Sequence, residues 1–119
     1  MTRSTPLRRT PIRRHAVKRK PGFSDPAYLA WIRQRLCLIC GRRWDYHGRG
    51  PVEAHHAGDH GMAQRAPDRT AVPLCPGHHR LDRDSAHVLG KQFWDHHGLV
   101  RDPIIRRLNA AYDAEHSTN

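Results

Sequence analysis

Residues 37–41 read Cys-Leu-Ile-Cys-Gly, and residues 75–78 read Cys-Pro-Gly-His. The first stretch is a CxxC pair followed by glycine, and the second is a CxxH pair that uses the last of the three cysteines. Three thiolates and one imidazole form the closed tetrahedral ligand set that is typical of structural zinc. The spacing therefore predicts a zinc staple. Its ligands are Cys37, Cys40, Cys75 and His78.

Other interpretations of these residues stay open at this point. A CxxC pair also occurs in redox proteins, and buried thiols can pack as small apolar side chains. The redox interpretation needs a βαβ context, which the sequence does not indicate. The fourth ligand could be His78 or the adjacent His79, and the CxxH spacing favours His78.

Length and composition restrict the class of protein. The chain has 119 residues, of which 37% are hydrophobic, and this suits one small domain. The core of such a domain is small, and a bound metal ion would stabilise it. No run of about 18 apolar residues is present, so we expect no membrane span. No apolar segment of a signal peptide follows Met1, so we expect a cytoplasmic protein.

Positive charge is concentrated at the beginning of the chain. Lys and Arg number 21 against 11 acidic residues, which gives a net charge of +10. Residues 1–24 hold eight of these cations and no acid. The repeated prolines and like charges predict a disordered basic tail over residues 1–22, followed by one domain over residues 23–119.

The tail has two interpretations, a solubilising segment or an arm that binds DNA phosphates. The one-sided charge favours the arm, because neutralised phosphates release counterions and strengthen binding. The predicted DNA-binding residues are Arg8, Arg9, Arg13, Arg14, Lys18, Arg19 and Lys20.

Local signals predict a small α+β domain. Asp25 and Pro26 indicate a helix start, and the apolar spacing extends that helix to near Cys37. Its expected apolar face comprises Tyr28, Leu29, Trp31, Ile32 and Leu36. A loop or hairpin over residues 41–51 precedes short strands at residues 52–56 and 71–74, which are separated by a polar loop over residues 58–68.

The second half of the domain is predicted to be helical. A helix beginning near Pro76 would carry His78 and His79, and it would carry His87 on the same face if it is continuous. Residues 92–97 predict a short helix closed by Gly98. The final helix is expected to have Asp102 as its N-cap. Its apolar stripe comprises Ile104, Ile105, Leu108 and Tyr112.

Several histidines lie close to the zinc half-sites in the sequence. Glu53-Ala54-His55-His56 follows the first half-site, and His79 follows the second. Phosphodiester hydrolysis needs a base that deprotonates water and a cation that stabilises charge on the phosphate. A neutral imidazole suits the base, since its ordinary pKa lies near 6.5, and neutral imidazoles can also bind a metal ion that serves as the cation.

The order CxxC, EAHH, VPLC and HH over residues 36–98 resembles the HNH endonucleases of the ββα-metal superfamily. The resemblance implies a treble-clef-like ββα-metal core with structural zinc, flanked by helices. More narrowly, the chain resembles phage recombination-enhancement (Ref-like, RecA-dependent) nucleases. The segments that carry this likeness are the Thr-Pro-Leu-Arg tail, Pro67-Asp68-Arg69 and residues 93–99.

The resemblance implies roles for individual histidines. His56 matches the general base, and His55 matches the first position of the dyad, often a metal ligand. His79 matches the metal-binding histidine at the helix start, and His87 is followed by residues like those that follow the last ligand. These matches imply a catalytic site of His55, His56 and His79, with Mg²⁺ or another divalent ion on His55, His79 and His87.

Two positions depart from the family pattern. The central Asn of the family falls at Thr70, and Asp68 is a candidate to replace it. The last metal ligand of the family falls at Arg83, so His87, Asp82 or Asp84 is left to complete the site.

The implied activity is metal-dependent hydrolysis of DNA with weak sequence preference, in phage recombination or DNA processing within a bacterial host cell. The implied products carry 5′-phosphate and 3′-hydroxyl ends, and a RecA-type recombinase filament is an implied partner. A non-catalytic zinc-stapled DNA-binding module is the main alternative, because a degraded site loses positions such as Thr70 and Arg83. A redox or metal-handling protein is a further alternative.

Overall fold

The computed structural model describes residues 23–59 and 66–117. The predicted basic tail and part of the predicted polar loop lie outside these ranges. The described part forms a small α+β unit with a two-stranded antiparallel sheet and four α-helices. The elements are α1 (Pro26–Ile32), β1 (Glu53–His56), β2 (Ala71–Leu74), α2 (Ala86–Leu89), α3 (Gln92–His96) and α4 (Arg101–Glu115). No helix within the described ranges has the length and apolar character needed to cross a membrane.

Helix α1 begins as the sequence predicts. The Asp25 carboxylate accepts a hydrogen bond from the Tyr28 backbone N–H at 3.2 Å, so Asp25 is the N-cap. Pro26 occupies the first turn, where the missing N–H costs nothing. Side chains on one face of the helix are buried, as expected from their spacing. They are Tyr28, Trp31 and Ile32.

Helix α1 ends earlier than predicted, at Ile32 rather than near Cys37. The Cys37 N–H donates a hydrogen bond to the Arg42 carbonyl at 2.9 Å, which closes a turn around the Cys37-Cys40 pair. The expectation that Leu36 belongs to the apolar face is wrong, because this side chain is 52% exposed. Residues 33–37 therefore lie outside the helix, in the turn that leads into the Cys37-Cys40 pair.

Both predicted strands form, and they pair with each other. Glu53 lies opposite Leu74, and His56 lies opposite Ala71. Because successive side chains of a strand point to opposite faces, Glu53 and His55 share one face, whereas His56 shares the other with Ala54. Every residue of β2 is buried, so the sheet packs this strand into the core.

The helix predicted after β2 is interrupted. A single wide helical turn, Gly77–Leu81, ends at Asp82, whose backbone is extended at φ −92° and ψ 164°. The Asp82 carboxylate accepts a hydrogen bond from Arg49 at 2.9 Å. Ser85 then caps α2 with its side chain. The helix is therefore not continuous as far as His87, which was the condition for placing His87 on the same face as His79.

The end of the chain matches the predicted helices with one correction. Helix α3 is followed by Gly98 at φ 70°, as expected for a helix stop. Helix α4 begins at Arg101 after Val100, so the prediction of Asp102 as N-cap is wrong. The Asp102 carboxylate instead accepts a hydrogen bond from Arg101 Nε at 2.8 Å. It lies in the first turn, where negative charge suits the helix dipole.

The apolar stripe of α4 packs as predicted against two core clusters. One cluster contains Cys37 and Cys75 together with residues of the sheet. The other joins α4 to α1 through aromatic rings, with the Tyr112 ring 5.0 Å from Tyr28 and 5.3 Å from Trp31. Trp31 Nε1 donates a hydrogen bond to Glu115 at 2.9 Å. The first and last helices therefore close the unit against each other.

Residues 41–50 form a hairpin, one of the two predicted conformations, and a buried carboxylate anchors it. Asp45, only 4% exposed, accepts hydrogen bonds from the Arg49 side chain at 2.6 Å and from the Gly77 N–H at 3.0 Å. A Cβ at Gly77 would lie 2.7 Å from the Asp45 carboxylate, so a larger residue there would have to displace this side chain. The hydrogen bonds from Arg49 lower the pKa of Asp45 well below its usual range.

We expect Asp45→Asn to lower the free energy of unfolding by about 1–3 kcal/mol, because the variant leaves buried donors without an anionic acceptor. Urea unfolding of the zinc-loaded protein at neutral pH measures this change. Asp95→Asn is the matched control, because Asp95 is exposed. Equal unfolding midpoints for the Asp45 variant and the wild type would contradict the anchoring role.

Candidate metal centre and histidine cluster

The four side chains that the sequence predicted as zinc ligands lie together. One ligand atom from each of Cys37, Cys40, Cys75 and His78 lies within 4.8 Å of all the others. The Cys40 and Cys75 sulfurs are 3.9 Å apart, and the Cys75 sulfur lies 3.3 Å from His78 Nδ1. Tetrahedral zinc with Zn–S bonds of about 2.3 Å places its sulfur ligands about 3.8 Å apart. The cluster therefore has the spacing of a metal site.

The backbone around the cysteines also suits a cation. Gly41 adopts a φ of 68°, and this turn brings the Ile39 N–H to 3.4 Å from the Cys37 sulfur. Burial raises the pKa of the Cys75 thiol to about 12, and the neighbouring cysteine sulfurs add to the rise. A bound dication reverses this preference because it coordinates thiolate. The donor set can hold a metal ion, and zinc as its identity stays a prediction.

The geometry separates the two candidates for the fourth ligand. His78 Nδ1 faces the cysteine sulfurs, whereas His79 turns toward β1. His78 Nε2 lies 3.7 Å from the Asp84 carboxylate, so this carboxylate is on the side of the ring away from the cysteine sulfurs. At this distance the two groups form no hydrogen bond, so the carboxylate acts on the ring only through its negative charge.

A further group of metal-binding side-chain types borders this cluster. It consists of Asp84, His96 and His97. His97 Nε2 lies 2.9 Å from the Asp84 backbone carbonyl and donates a hydrogen bond to it. This bond fixes the residue whose carboxylate stands behind His78.

A second cluster contains three histidines. Ligand atoms of His55, His79 and His87 lie within 4.8 Å of one another. The His79 ring is 4.6 Å from the His87 ring and 5.1 Å from the His55 ring. Burial lowers the pKa of His55 to about 4, which favours the neutral imidazole that a metal requires. The structure thus brings together all three predicted ligands of the second ion.

The alternatives for the third ligand are separated as well. Asp82 is bound by Arg49, and Asp84 lies beside His78. The three-histidine cluster contains His87 and neither of these carboxylates.

Glu53 orients this cluster, a role that sequence reasoning did not assign. Its carboxylate accepts hydrogen bonds from His79 Nδ1 at 2.7 Å and from Arg80 at 3.0 Å. Burial would raise the pKa of Glu53, but the hydrogen bonds from Arg80 and His79 outweigh it and lower the pKa. Since Nδ1 is the donor, His79 keeps the lone pair of Nε2 for a metal. The spacing of Glu53 and His55 places both side chains on one face of β1, but it does not show that the turn carrying His79 lies beside that face.

His56 lies apart from the three-histidine cluster and has its own partner. Its Nε2 is 2.8 Å from the Asp68 carboxylate, which is 1% exposed. A carboxylate only accepts hydrogen bonds, so Nε2 is the donor and the lone pair of His56 lies on Nδ1. Asp68 also accepts the Asp25 backbone N–H at 2.8 Å. Thr70, at the position of the family Asn, instead donates to the Pro67 carbonyl at 2.7 Å.

The two β1 histidines meet at an open cleft of about 840 Å³. His55 and His56 line one wall, and residues from the α2–α4 region line the other. Lys91, Trp94 and Arg101 belong to that second wall. Arg101 is paired with Asp59 at 3.1 Å, whereas Lys91 is exposed. The predicted DNA-binding cations of the tail lie outside the described residues.

The two adjacent histidines allow a sharp test of the metal centre. We expect His78→Ala to lose zinc and to unfold at a lower temperature, because binding contributes folding free energy. His79→Ala should keep about one zinc per chain, since its ring faces the other cluster. Metal analysis after extensive dialysis and thermal unfolding measure both effects. Zinc loss from His79→Ala with retention in His78→Ala would contradict the assignment.

Comparison with known proteins gives one family. Neither the curated proteins nor the solved structures contain a match to the chain. The family match runs from residue 13 to residue 114, so it covers most of the chain and both metal-binding clusters. The chain therefore belongs to the family described as Protein of unknown function (DUF968).

Proposed function

We propose that this protein is an HNH-type endonuclease that hydrolyses phosphodiester bonds in DNA with the help of a divalent metal ion. One observation carries the proposal. Three imidazoles close enough to share a cation stand beside a fourth imidazole that a buried carboxylate orients. Two of these histidines line one open cleft. A zinc staple alone requires none of these four side chains.

The order of the elements supports the ββα-metal interpretation. An antiparallel pair of strands carries His55 and His56, and a helical turn carrying His79 follows the second strand. The Cys/His cluster lies at the start of the same turn and suits a structural zinc ion. The interruption before α2 departs from a regular ββα helix, yet it leaves His87 within reach of His79.

His56 is the proposed general base. Its Nε2–H is held by Asp68, so Nδ1 is the nitrogen that accepts a proton from the attacking water. The buried carboxylate fixes the ring and stabilises the imidazolium that forms. The base lies on the side of the attacking water, opposite the departing 3′ oxygen. That oxygen therefore takes its proton from solvent, and His56 releases its own proton to solvent.

His55, His79 and His87 are the residues that would hold Mg²⁺ or another divalent ion. Such an ion, when bound, supplies charge stabilisation to the phosphate and to the departing 3′ oxygen. Glu53 holds His79 through Nδ1 and leaves Nε2 for this purpose. The burial that keeps His55 neutral serves the same end. The expected products carry 5′-phosphate and 3′-hydroxyl ends.

Weak sequence preference follows from the proposed contacts. Lys91 brings an exposed cation to the cleft wall, and the basic tail would add phosphate contacts. Phosphate contacts position a protein on DNA but do not read its sequence. Phage recombination as the setting, with a RecA-type filament as partner, rests on the sequence resemblance alone.

The first test is plasmid nicking with Mg²⁺ or Mn²⁺. We expect His56→Ala to lower the nicking rate by about 100-fold or more, because general-base catalysis is lost. Asp68→Asn should lower it about tenfold or more, because the ring loses its anionic partner. His116→Ala is the matched control, since this exposed histidine lies at the end of α4, where it bonds to the Tyr112 carbonyl.

Each variant is first shown to be folded and zinc-loaded. Wild-type activity in the folded His56 variant would contradict the base assignment. No nicking by any form, with salt-sensitive DNA binding intact, would favour the non-catalytic DNA-binding alternative. Repeating the assay with a recombinase filament then separates that alternative from an enzyme that requires a partner.

A second test concerns the positioning of His79. We expect Glu53→Gln to raise the Mn²⁺ concentration for half-maximal nicking about 10- to 100-fold, with a smaller effect at saturation. Calorimetric titration with Mn²⁺ measures the same loss without cleavage. Arg80→Ala is the control, because it removes the other partner of Glu53 and leaves the hydrogen bond to His79. An unchanged Mn²⁺ affinity in Glu53→Gln would contradict this role.

A further inference from the structure

The hairpin of residues 41–50 leaves two aromatic side chains in solvent. Trp44 is 54% exposed and Tyr46 is 68% exposed, and they are the aromatic members of the large exposed apolar side chains within the described ranges. Neither belongs to the two core clusters. The metal centre, the histidine cluster and the cleft use neither ring.

The hairpin holds these rings on a rigid base. Asp45, between them in the sequence, is buried and bonds to the Arg49 side chain and to the Gly77 N–H. The Asp45 N–H bonds to the Gly50 carbonyl at 2.8 Å and closes the hairpin. A preorganised surface loses little conformational entropy when it binds a ligand.

Positive charge surrounds the rings. Arg42 and Arg43 are exposed, and neither forms an ion pair within the part of the chain described here. The Arg42 guanidinium lies 4.7 Å from the centre of the Tyr46 ring. The single acid of the hairpin is the buried Asp45, and Arg49 neutralises it. The exposed surface is therefore aromatic and cationic, which is complementary to bases and phosphates rather than to an apolar partner.

The hairpin also lies near the proposed cleavage site. The Val52 N–H bonds to the Arg43 carbonyl at 3.0 Å, which places Arg43 level with the start of β1. His55 lies three residues further along, or about 10 Å at the rise of a strand. Trp44 pairs with Pro51, one residue before Val52, so its backbone lies about 13 Å from His55 along the strand direction.

We propose that this aromatic hairpin, residues 41–50, binds unpaired nucleotides of single-stranded DNA by stacking their bases on Trp44 and Tyr46. Exposed aromatic rings next to arginines are the usual platform for unpaired bases, because every base has a face that stacks. Bases of an intact duplex are already stacked on one another and cannot use the platform. The location of this site beside the cleavage centre rests on the proposed nuclease function, but the binding itself does not require cleavage.

The test is equilibrium binding of a fluorescent oligo-dT strand to the full zinc-loaded chain, followed by anisotropy. The His56→Ala background prevents cleavage, so a failure of the nuclease proposal does not disturb the measurement. We expect Trp44→Ala and Tyr46→Ala each to weaken binding about tenfold. The same two variants should bind a closed-ended duplex of equal length less than about twofold more weakly than the wild type does, because the bases of a duplex stay stacked on one another.

Controls separate stacking from general damage and from the basic tail. Leu36→Ala removes an apolar side chain with 52% exposure and should leave binding unchanged. Trp44→Phe keeps an aromatic face and should retain most of the affinity. The salt dependence should be the same in Trp44→Ala and the wild type, because phosphate contacts are intact.

Equal losses on single strand and closed duplex would overturn the proposal, since they would indicate a general phosphate contact. Unchanged single-strand binding in both aromatic variants would also overturn it and would leave the hairpin as a surface for a protein partner. A selective loss on the single strand, restored by Trp44→Phe, supports the proposal even if the wild-type protein never cleaves DNA.

Discussion

The convergence of Cys37 and Cys40 with Cys75 and His78 is the constraint on which the rest of the structure depends. Cys40 and Cys75 are 35 positions apart in the sequence, yet their sulfurs lie 3.9 Å apart. The contact between them therefore closes a stretch of chain that contains the hairpin and both strands. Cys37 and Cys75 also belong to the core cluster. Small domains often need a bound metal ion, because the free energy of metal binding adds the stability that a small core lacks.

This closure also sets the histidine geometry. His78 and His79 are neighbours in one wide turn, and they face different clusters. The turn that completes the Cys/His cluster therefore fixes the direction of His79 toward Glu53 and β1. On β1 the alternation of side chains sends His55 to His79 and His56 to Asp68. One short strand thus contributes to both parts of the proposed catalytic site.

Much of this arrangement followed from residue type and spacing. Cysteine spacing predicted the Cys/His cluster, and both strands lie within the two segments that were predicted to form them. The sequence could not assign Glu53, since its role depends on the register of β1 against the turn that carries His79. It also misplaced the end of α1 and the cap of α4. In both cases a tertiary or neighbouring contact, from Cys37 to Arg42 and from Asp102 to Arg101, outweighed the local helix signal.

The interrupted helix explains how His87 reaches the cluster. In a continuous helix, residues 79 and 87 would be separated by about 12 Å along the axis, too far to share one ion. The structure brings the two rings to 4.6 Å because the chain leaves the helix at Asp82 and starts a new one after Ser85. Arg49 holds Asp82 at this break, and Asp45 holds Arg49. The same polar network that anchors the hairpin therefore supports the fold-back that assembles the three imidazoles, which connects the exposed aromatic surface to the proposed catalytic group.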